Sequence, residues 1–100
     1  MQPNMKMLQQ MQDKLSRMQE ELAQTPVEGS AGGGAVKVTV NGMREVQSIK
    51  IDPEAVDPDD IGMLEDTILA AISEAMKNAE ELATKKMSAI TGGLNIPGLF

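Results

Sequence analysis

The sequence predicts an α+β protein in which two long helices flank a small antiparallel sheet. Three observations support this fold class. Apolar residues recur at helical spacing through the first quarter of the 100-residue chain. Two runs of strand-forming residues then meet at Asn41-Gly42, and a second, longer helical pattern follows them. A chain of this length suits one domain.

The first helix is predicted over residues 1–24. Its apolar residues are separated alternately by three and four positions, which is the spacing of a heptad seam. They are Leu8, Met11, Leu15, Met18 and Leu22. Pro26 disfavours helical conformation at the residue before it, so the helix should end near Gln24. At about 1.5 Å per residue, it forms a rod of about 30 Å.

The sheet is predicted over residues 26–52, with two or three strands. A short first strand can begin at Val27, before a glycine-rich turn. A second strand carries Val36, Val38 and Val40 in alternation with polar residues, as in a strand with one covered face. Asn41-Gly42 then predicts a tight hairpin turn with positive φ at both residues.

The last strand contains an irregularity. Val46 is out of phase with Ile49 and Ile51, and side chains alternate between the faces of a strand with a period of two. The three residues share a face only if the strand contains a bulge. A bulge is therefore predicted near Gln47-Ser48.

A second helical region is predicted over residues 57–91, followed by an apolar tail over residues 92–100. Asp57 and Pro58 suit the N-cap and the first helical position, and Asp59 and Asp60 suit the positive end of the helix dipole. Gly92-Gly93 should end the helix. Several of its apolar positions are alanines, which would let another helix approach closely: Ala71, Ala75 and Ala79.

The composition excludes several kinds of chemistry. The chain has no cysteine and no histidine, so it lacks thiolate ligands and the usual general base. Asp57, Asp59 and Asp60 lack the glycine and distal glutamate of a calcium loop, and helix capping explains them better. We therefore predict no enzyme activity, metal, cofactor or small-molecule substrate. The polar N-terminus and the absence of a long apolar run predict a cytoplasmic protein without a membrane partner.

The net charge is −6, which by itself argues against a nucleic-acid partner. The distribution qualifies this, because basic residues predominate in residues 1–19 and 82–100, whereas acidic residues concentrate between Asp52 and Glu81. If the helices pack antiparallel, both basic stretches lie together, far from the sheet. An alternative stays open: these charges can be a solvated surface with local pairs at i,i+4, such as Asp13–Arg17 and Glu81–Lys85.

Two long segments look familiar: MQDKLSRMQEELAQTPVEGSAGGGAVKVTVNGMREVQSIKIDPE and DIGMLEDTILAAISEAMKNAEELATKKMSAITGG. Together they resemble the YbaB/EbfC family of bacterial nucleoid-associated proteins over nearly the whole chain. The resemblance implies an α-β-β-β-α protomer and a tweezer-like homodimer joined largely through the sheets. It also implies binding of double-stranded DNA without catalysis, a location at the nucleoid, and a role in nucleoid organisation and gene expression.

The resemblance places DNA contacts on the projecting helices, where the basic residues are Lys6, Lys14, Arg17, Lys77, Lys85 and Lys86. Dimer or core contacts are expected at Val36, Val38, Val40, Ile49 and Ile51. No aromatic residue interleaves the basic ones, so base stacking is not available at these positions. The contacts should be mainly to phosphates, which position a protein without specifying sequence.

Two other functions remain open from the sequence. Nine methionines are a high share, and methionine-lined helices suit adaptable interfaces. A small chaperone with helical arms would use such surfaces. A protein-binding adaptor would instead use the acidic face.

Overall fold

A computed structural model describes residues 5–90. The elements are α1 (Met5–Gln24), β1 (Pro26–Ala31), β2 (Val36–Asn41), β3 (Val46–Ile51), a 3₁₀ turn (Pro53–Ala55) and α2 (Ile61–Ile90). The strands form one antiparallel sheet in the order β1-β2-β3. The predicted α-β-β-β-α arrangement is confirmed. The predicted helix end at Gly92-Gly93 and the tail over residues 92–100 lie outside the described residues.

The core lies between α2 and one face of the sheet. Val36, Val38 and Val40 are completely buried there, against the buried residues Ala71, Ala75 and Ala79. The sequence predicted that these alanines admit another helix, but they admit strand β1 instead. A Cβ atom placed on Gly29 would collide with the backbone of Ala71 and Ala75, so strand and helix are in direct backbone contact at this point.

The β2–β3 connection differs from the predicted two-residue turn. β2 continues to Asn41, and positive φ occurs at Arg44 (64°) rather than at Asn41 or Gly42. Gly42 is needed for a different reason. Its N–H donates to the carbonyl oxygens of Leu22 (2.7 Å) and Thr25 (3.1 Å), and an added Cβ would lie 2.6 Å from the Leu22 side chain. Packing against α1 therefore overrides the local turn preference.

The predicted bulge in β3 is confirmed. Thr39 pairs with Ser48 and Val40 pairs with Val46, so Gln47 has no partner in β2. The bulge brings Val46 onto the same face as Ile49 and Ile51, which is the face that α2 covers over the other two strands.

The start of α2 also differs from the prediction. The helix begins at Ile61, and Asp60 rather than Asp57 caps it, because the Asp60 carboxylate accepts from the Met63 N–H (3.2 Å). The Asp57 carboxylate accepts from the Asp59 N–H (2.9 Å) in the turn before the helix. Pro58 therefore lies in that turn and not at the first helical position.

Helix α1 leaves the sheet at the Asn41 end and ends at Gln24, as predicted. It runs antiparallel to the last third of α2, because Met18 shares a groove with Met87 and Lys14 shares one with Ile90. The described molecule is elongated, with extents of 68 × 26 × 16 Å. We call residues 5–24 of α1 with residues 80–90 of α2 the arm, and the sheet with residues 61–79 the body.

Candidate nucleic-acid interface

The arm brings residues from the two basic stretches together. Antiparallel packing places Lys14 and Arg17 of α1 beside Lys86 of α2, around an open groove of about 290 Å³. Met18 forms part of its apolar wall and is buried. Three of the six residues predicted to contact DNA therefore meet at one place, although they are far apart in the chain.

The three cations differ in how their charges are matched. Lys86 forms an ion pair with Glu21 (Nζ–Oε2 3.2 Å), with the two side chains 33% and 65% exposed. Lys14 and Arg17 have no carboxylate within 4.0 Å among residues 5–90. The local pair Asp13–Arg17 that the sequence allowed does not form. These two cations are available to an anionic ligand.

The other three predicted residues lie elsewhere. Lys77 and Lys85 line a second open groove of about 460 Å³, which they share with Glu80 and Glu81; its lining among residues 5–90 comes from α2. The possible pair Glu81–Lys85 is also absent at 4.0 Å in the described structure. Lys6 is exposed on the first turns of α1, about 12 Å along the helix from Lys14.

The opposite end of the molecule is acidic. Residues 52–66 contain no lysine or arginine and seven acidic residues, which are Asp52, Glu54, Asp57, Asp59, Asp60, Glu65 and Asp66. Asp57 and Asp60 lie beside Gly32 and Ala35 of the β1–β2 turn, at the end of the sheet away from α1. No group of side chains within residues 5–90 is placed to hold a metal ion. Phosphates would therefore be repelled from this end.

The residues predicted for the dimer or core divide into two sets. Val36, Val38 and Val40 face α2 inside the protomer, and Ile51 is partly buried against them. Ile49 is 44% exposed on β3, an edge strand of the sheet. Val46, which was not predicted as a contact residue, is 47% exposed on the same face. The predicted bulge was the signal that places it there.

Within residues 5–90, neither helix has the length and apolar character needed to span a lipid bilayer.

Arg44, in the β2–β3 loop, is a further exposed cation that the sequence did not single out. An isolated arginine in a loop carries no recognisable pattern, so only the structure reveals its position.

Comparison with known proteins gives consistent matches. The model of the YbaB/EbfC DNA-binding family matches residues 1–94. A nucleoid-associated protein of Caldanaerobacter subterraneus subsp. tengcongensis is 56% identical over 95 residues, covering 95% of this chain and 86% of that protein. A nucleoid-associated protein of Chloroflexus aurantiacus is 57% identical over 96 residues, covering 96% and 94%. The crystal structure of an uncharacterised protein from Helicobacter pylori has the same fold, with a TM-score of 0.78, 22% identity, and coverage of 91% of this chain and all of that one.

Proposed function

The chain belongs to the YbaB/EbfC DNA-binding family, and from that membership we propose that it binds double-stranded DNA as a homodimer, mainly through phosphate contacts. The family and the names of the relatives describe a DNA-binding protein rather than an enzyme, as the sequence predicted. We further propose that it acts in the bacterial cytoplasm, at the nucleoid, where it affects DNA conformation, nucleoid organisation and gene expression.

The unpaired cations of the arm carry the proposal of phosphate contacts. Lys14 and Arg17 face solvent without a carboxylate partner in the described residues. An arginine guanidinium matches a phosphate with two parallel hydrogen bonds, and a lysine ammonium acts as a point charge. The acidic end lies at the other side of the sheet, so DNA would meet the arm first. Lys6, Lys85 and Lys86 extend this surface along and around the arm, and Lys77 extends it onto the adjoining part of α2 in the body.

A matched pair of double variants tests the assignment. Lys14→Glu with Arg17→Glu reverses two charges on the arm, whereas Lys37→Glu with Lys50→Glu reverses two charges on the sheet face that α2 leaves open. Both change the net charge equally. We expect the arm variant to lose at least tenfold in affinity for a labelled 30-base-pair duplex, and the sheet variant to lose much less. Equal losses would show that only total charge matters and would reject the arm.

Strand β3 supports the proposal of a homodimer. It is an edge strand, so its outer backbone donors and acceptors face solvent. Val46 and Ile49 leave nearly half of their surface exposed on one face of this strand. Exposed Leu69 of α2 adds to the apolar surface of the protomer. A second copy that covered β3 would remove apolar surface and an unpaired edge from water at the same time.

Neighbouring residues on β3 provide the test. Ile49→Lys places a charge on the apolar face, and Ser48→Lys places the same charge one residue away on the opposite face. We expect the first variant to sediment as a monomer at micromolar concentration and the second to remain a dimer. A wild-type protein that sediments as a monomer would reject the homodimer outright.

The exposed apolar surface of α1 supports a second candidate function, that of a small chaperone or protein-binding adaptor. Met5, Met7, Leu8 and Met11 are exposed along the outer half of this helix. Flexible methionine side chains adapt to varied apolar partners. Suppression of the aggregation of a heat-denatured client, by protein that does not shift DNA, would favour this function over DNA binding.

A further inference from the structure

The loop between β2 and β3 is built to hold one conformation. Asn41 is 3% exposed, and its side chain amide donates to the carbonyl oxygen of Ala23 (3.1 Å) and to the Glu45 carboxylate (2.7 Å). Its side chain oxygen accepts from the N–H groups of Met43 (2.9 Å) and Glu45 (3.0 Å). Together with Gly42 packed on Leu22, these bonds fix the loop to the root of the arm.

Arg44 lies at the tip of this loop with φ at 64°, the one positive-φ position that is not glycine among residues 5–90. This conformation is unfavourable for a residue with a Cβ atom and carries no steric penalty for glycine. Glycine at position 44 would therefore satisfy the backbone better than arginine does. Strained positions that persist in a well-fixed structure are concentrated at functional sites, and the side chain is then the feature to explain.

The Arg44 side chain has a defined setting but no ionic partner. It lies at the edge of a groove at the junction of α1, α2 and the loop, whose apolar lining includes Met18, Leu22 and Met87. Glu80 lines the same groove, yet no carboxylate in residues 5–90 lies within 4.0 Å of the guanidinium. The adjacent Glu45 is engaged by the Asn41 amide. Arg44 is exposed, and hydrogen bonds of the Asn41 side chain hold the loop that carries it.

We propose that Arg44 is a further DNA-contacting residue, which binds a backbone phosphate at the root of the arm. This inference rests on the proposed DNA binding and adds a contact outside the helices. The guanidinium fork can form two parallel hydrogen bonds with a phosphate, so the contact is stronger than one from a lysine ammonium, which acts as a point charge. Arg44 lies at the root of the arm, whereas the other proposed contacts of α1 lie farther out, so DNA would be contacted at both ends of the arm.

The variant Arg44→Gly separates loss of the proposed DNA contact from loss of stability. Arg44→Gly relieves the backbone strain, so we expect its thermal midpoint to equal or exceed that of the wild type. Its affinity for a labelled 30-base-pair duplex should fall about fivefold to tenfold, and its log–log salt slope should become less negative by about 1 to 2 per dimer. Lys37→Ala is the matched control, because it removes the same charge from the open sheet face. It should change the affinity less than twofold.

Three outcomes would overturn this inference. One is an unchanged affinity and slope in Arg44→Gly when the wild type binds DNA. Another is an equal loss in Lys37→Ala, which would assign the effect to net charge. The third is dissociation of the Arg44→Gly dimer, which would assign the arginine to contact with a second copy. If the wild type binds no DNA even at low salt, the proposed function itself fails.

Discussion

The body and the arm are held together in different ways. In the body, a strand and a helix meet at backbone contact, and valines and alanines fill the space between them. In the arm, Met18 and Leu22 are the buried residues of α1, and an exposed ion pair links the two helices. Close packing fixes the body, whereas the thinly packed arm keeps Lys14 and Arg17 in solvent. We therefore expect the stability of the fold to depend mainly on the body and the proposed DNA binding to depend mainly on the arm.

The largest effect is expected from Gly29→Ala in the body. The added methyl group would collide with the backbone of Ala71 and Ala75, which flexible side chains cannot relieve. We expect a loss of about 3 kcal/mol or more in the free energy of unfolding, measured by urea denaturation at fixed protein concentration. Gly62→Ala is the control, because its nearest neighbouring atom is 3.9 Å away. A mild effect in Gly29→Ala would show that strand and helix are not closely packed.

The next largest effect is expected at the joint between the arm and the body, where the Asn41 side chain bonds to Ala23 of α1. Asn41→Ala removes four part-buried hydrogen bonds made by a buried side chain. We expect a loss of about 2–3 kcal/mol in the free energy of unfolding. Asn78→Ala removes one solvent-accessible hydrogen bond, from its amide to the Glu28 carbonyl oxygen, and should cost well under half as much. Equal losses would mean that the joint is not a rigid connection.

Charge changes on the arm should affect binding and leave the fold intact. Lys85→Glu with Lys86→Glu should abolish DNA binding, or weaken it more than tenfold, which is about 1.4 kcal/mol. The dimer should persist.

Glu80→Gln with Glu81→Gln removes the repulsion between these carboxylates and DNA phosphates from the same turns of α2, and it should tighten DNA binding severalfold. Anisotropy titrations at one salt concentration measure both. Unchanged affinity in the lysine variant would exclude this part of the arm.

The smallest effect is expected from the ion pair between Lys86 and Glu21. Both side chains are substantially exposed, so solvent screens their attraction. A double-mutant cycle with Lys86→Ala and Glu21→Ala should give a coupling of less than about 1 kcal/mol in the free energy of unfolding. A larger coupling would show that the arm depends on this pair, and the distinction between body and arm would weaken.

Local patterns in the sequence predicted the element order, the end of α1 and the bulge in β3. Each depends on neighbouring residues: Pro26 sets the helix end, and the phase of Val46 against Ile49 requires the bulge. Two of the predictions that were wrong depend on contacts between distant residues, whereas the misplaced start of α2 depends on which of several neighbouring aspartates caps the helix. Gly42 follows the packing of Leu22 rather than turn preference, and the alanines of α2 accommodate Gly29 of β1.

The candidate site was predictable as a set of residues but not as an arrangement. Charge distribution predicted that the basic stretches come together, and the structure places Lys14, Arg17 and Lys86 around one groove. The sequence could not show that Glu21 forms an ion pair with Lys86, because the two residues are 65 positions apart. Nor could it single out Arg44, whose position depends on hydrogen bonds between the loop and α1.

The proposed binding of the arm to the phosphates of DNA is tested most directly by a salt series. A labelled 30-base-pair duplex is titrated with wild-type protein at several salt concentrations, and the fluorescence anisotropy gives the affinity at each. Since each neutralised phosphate contributes about −0.9 to the log–log slope, we predict a slope of about −3 to −6 for the dimer. An absence of binding at the lowest salt concentration, or a slope near zero, would contradict the claim.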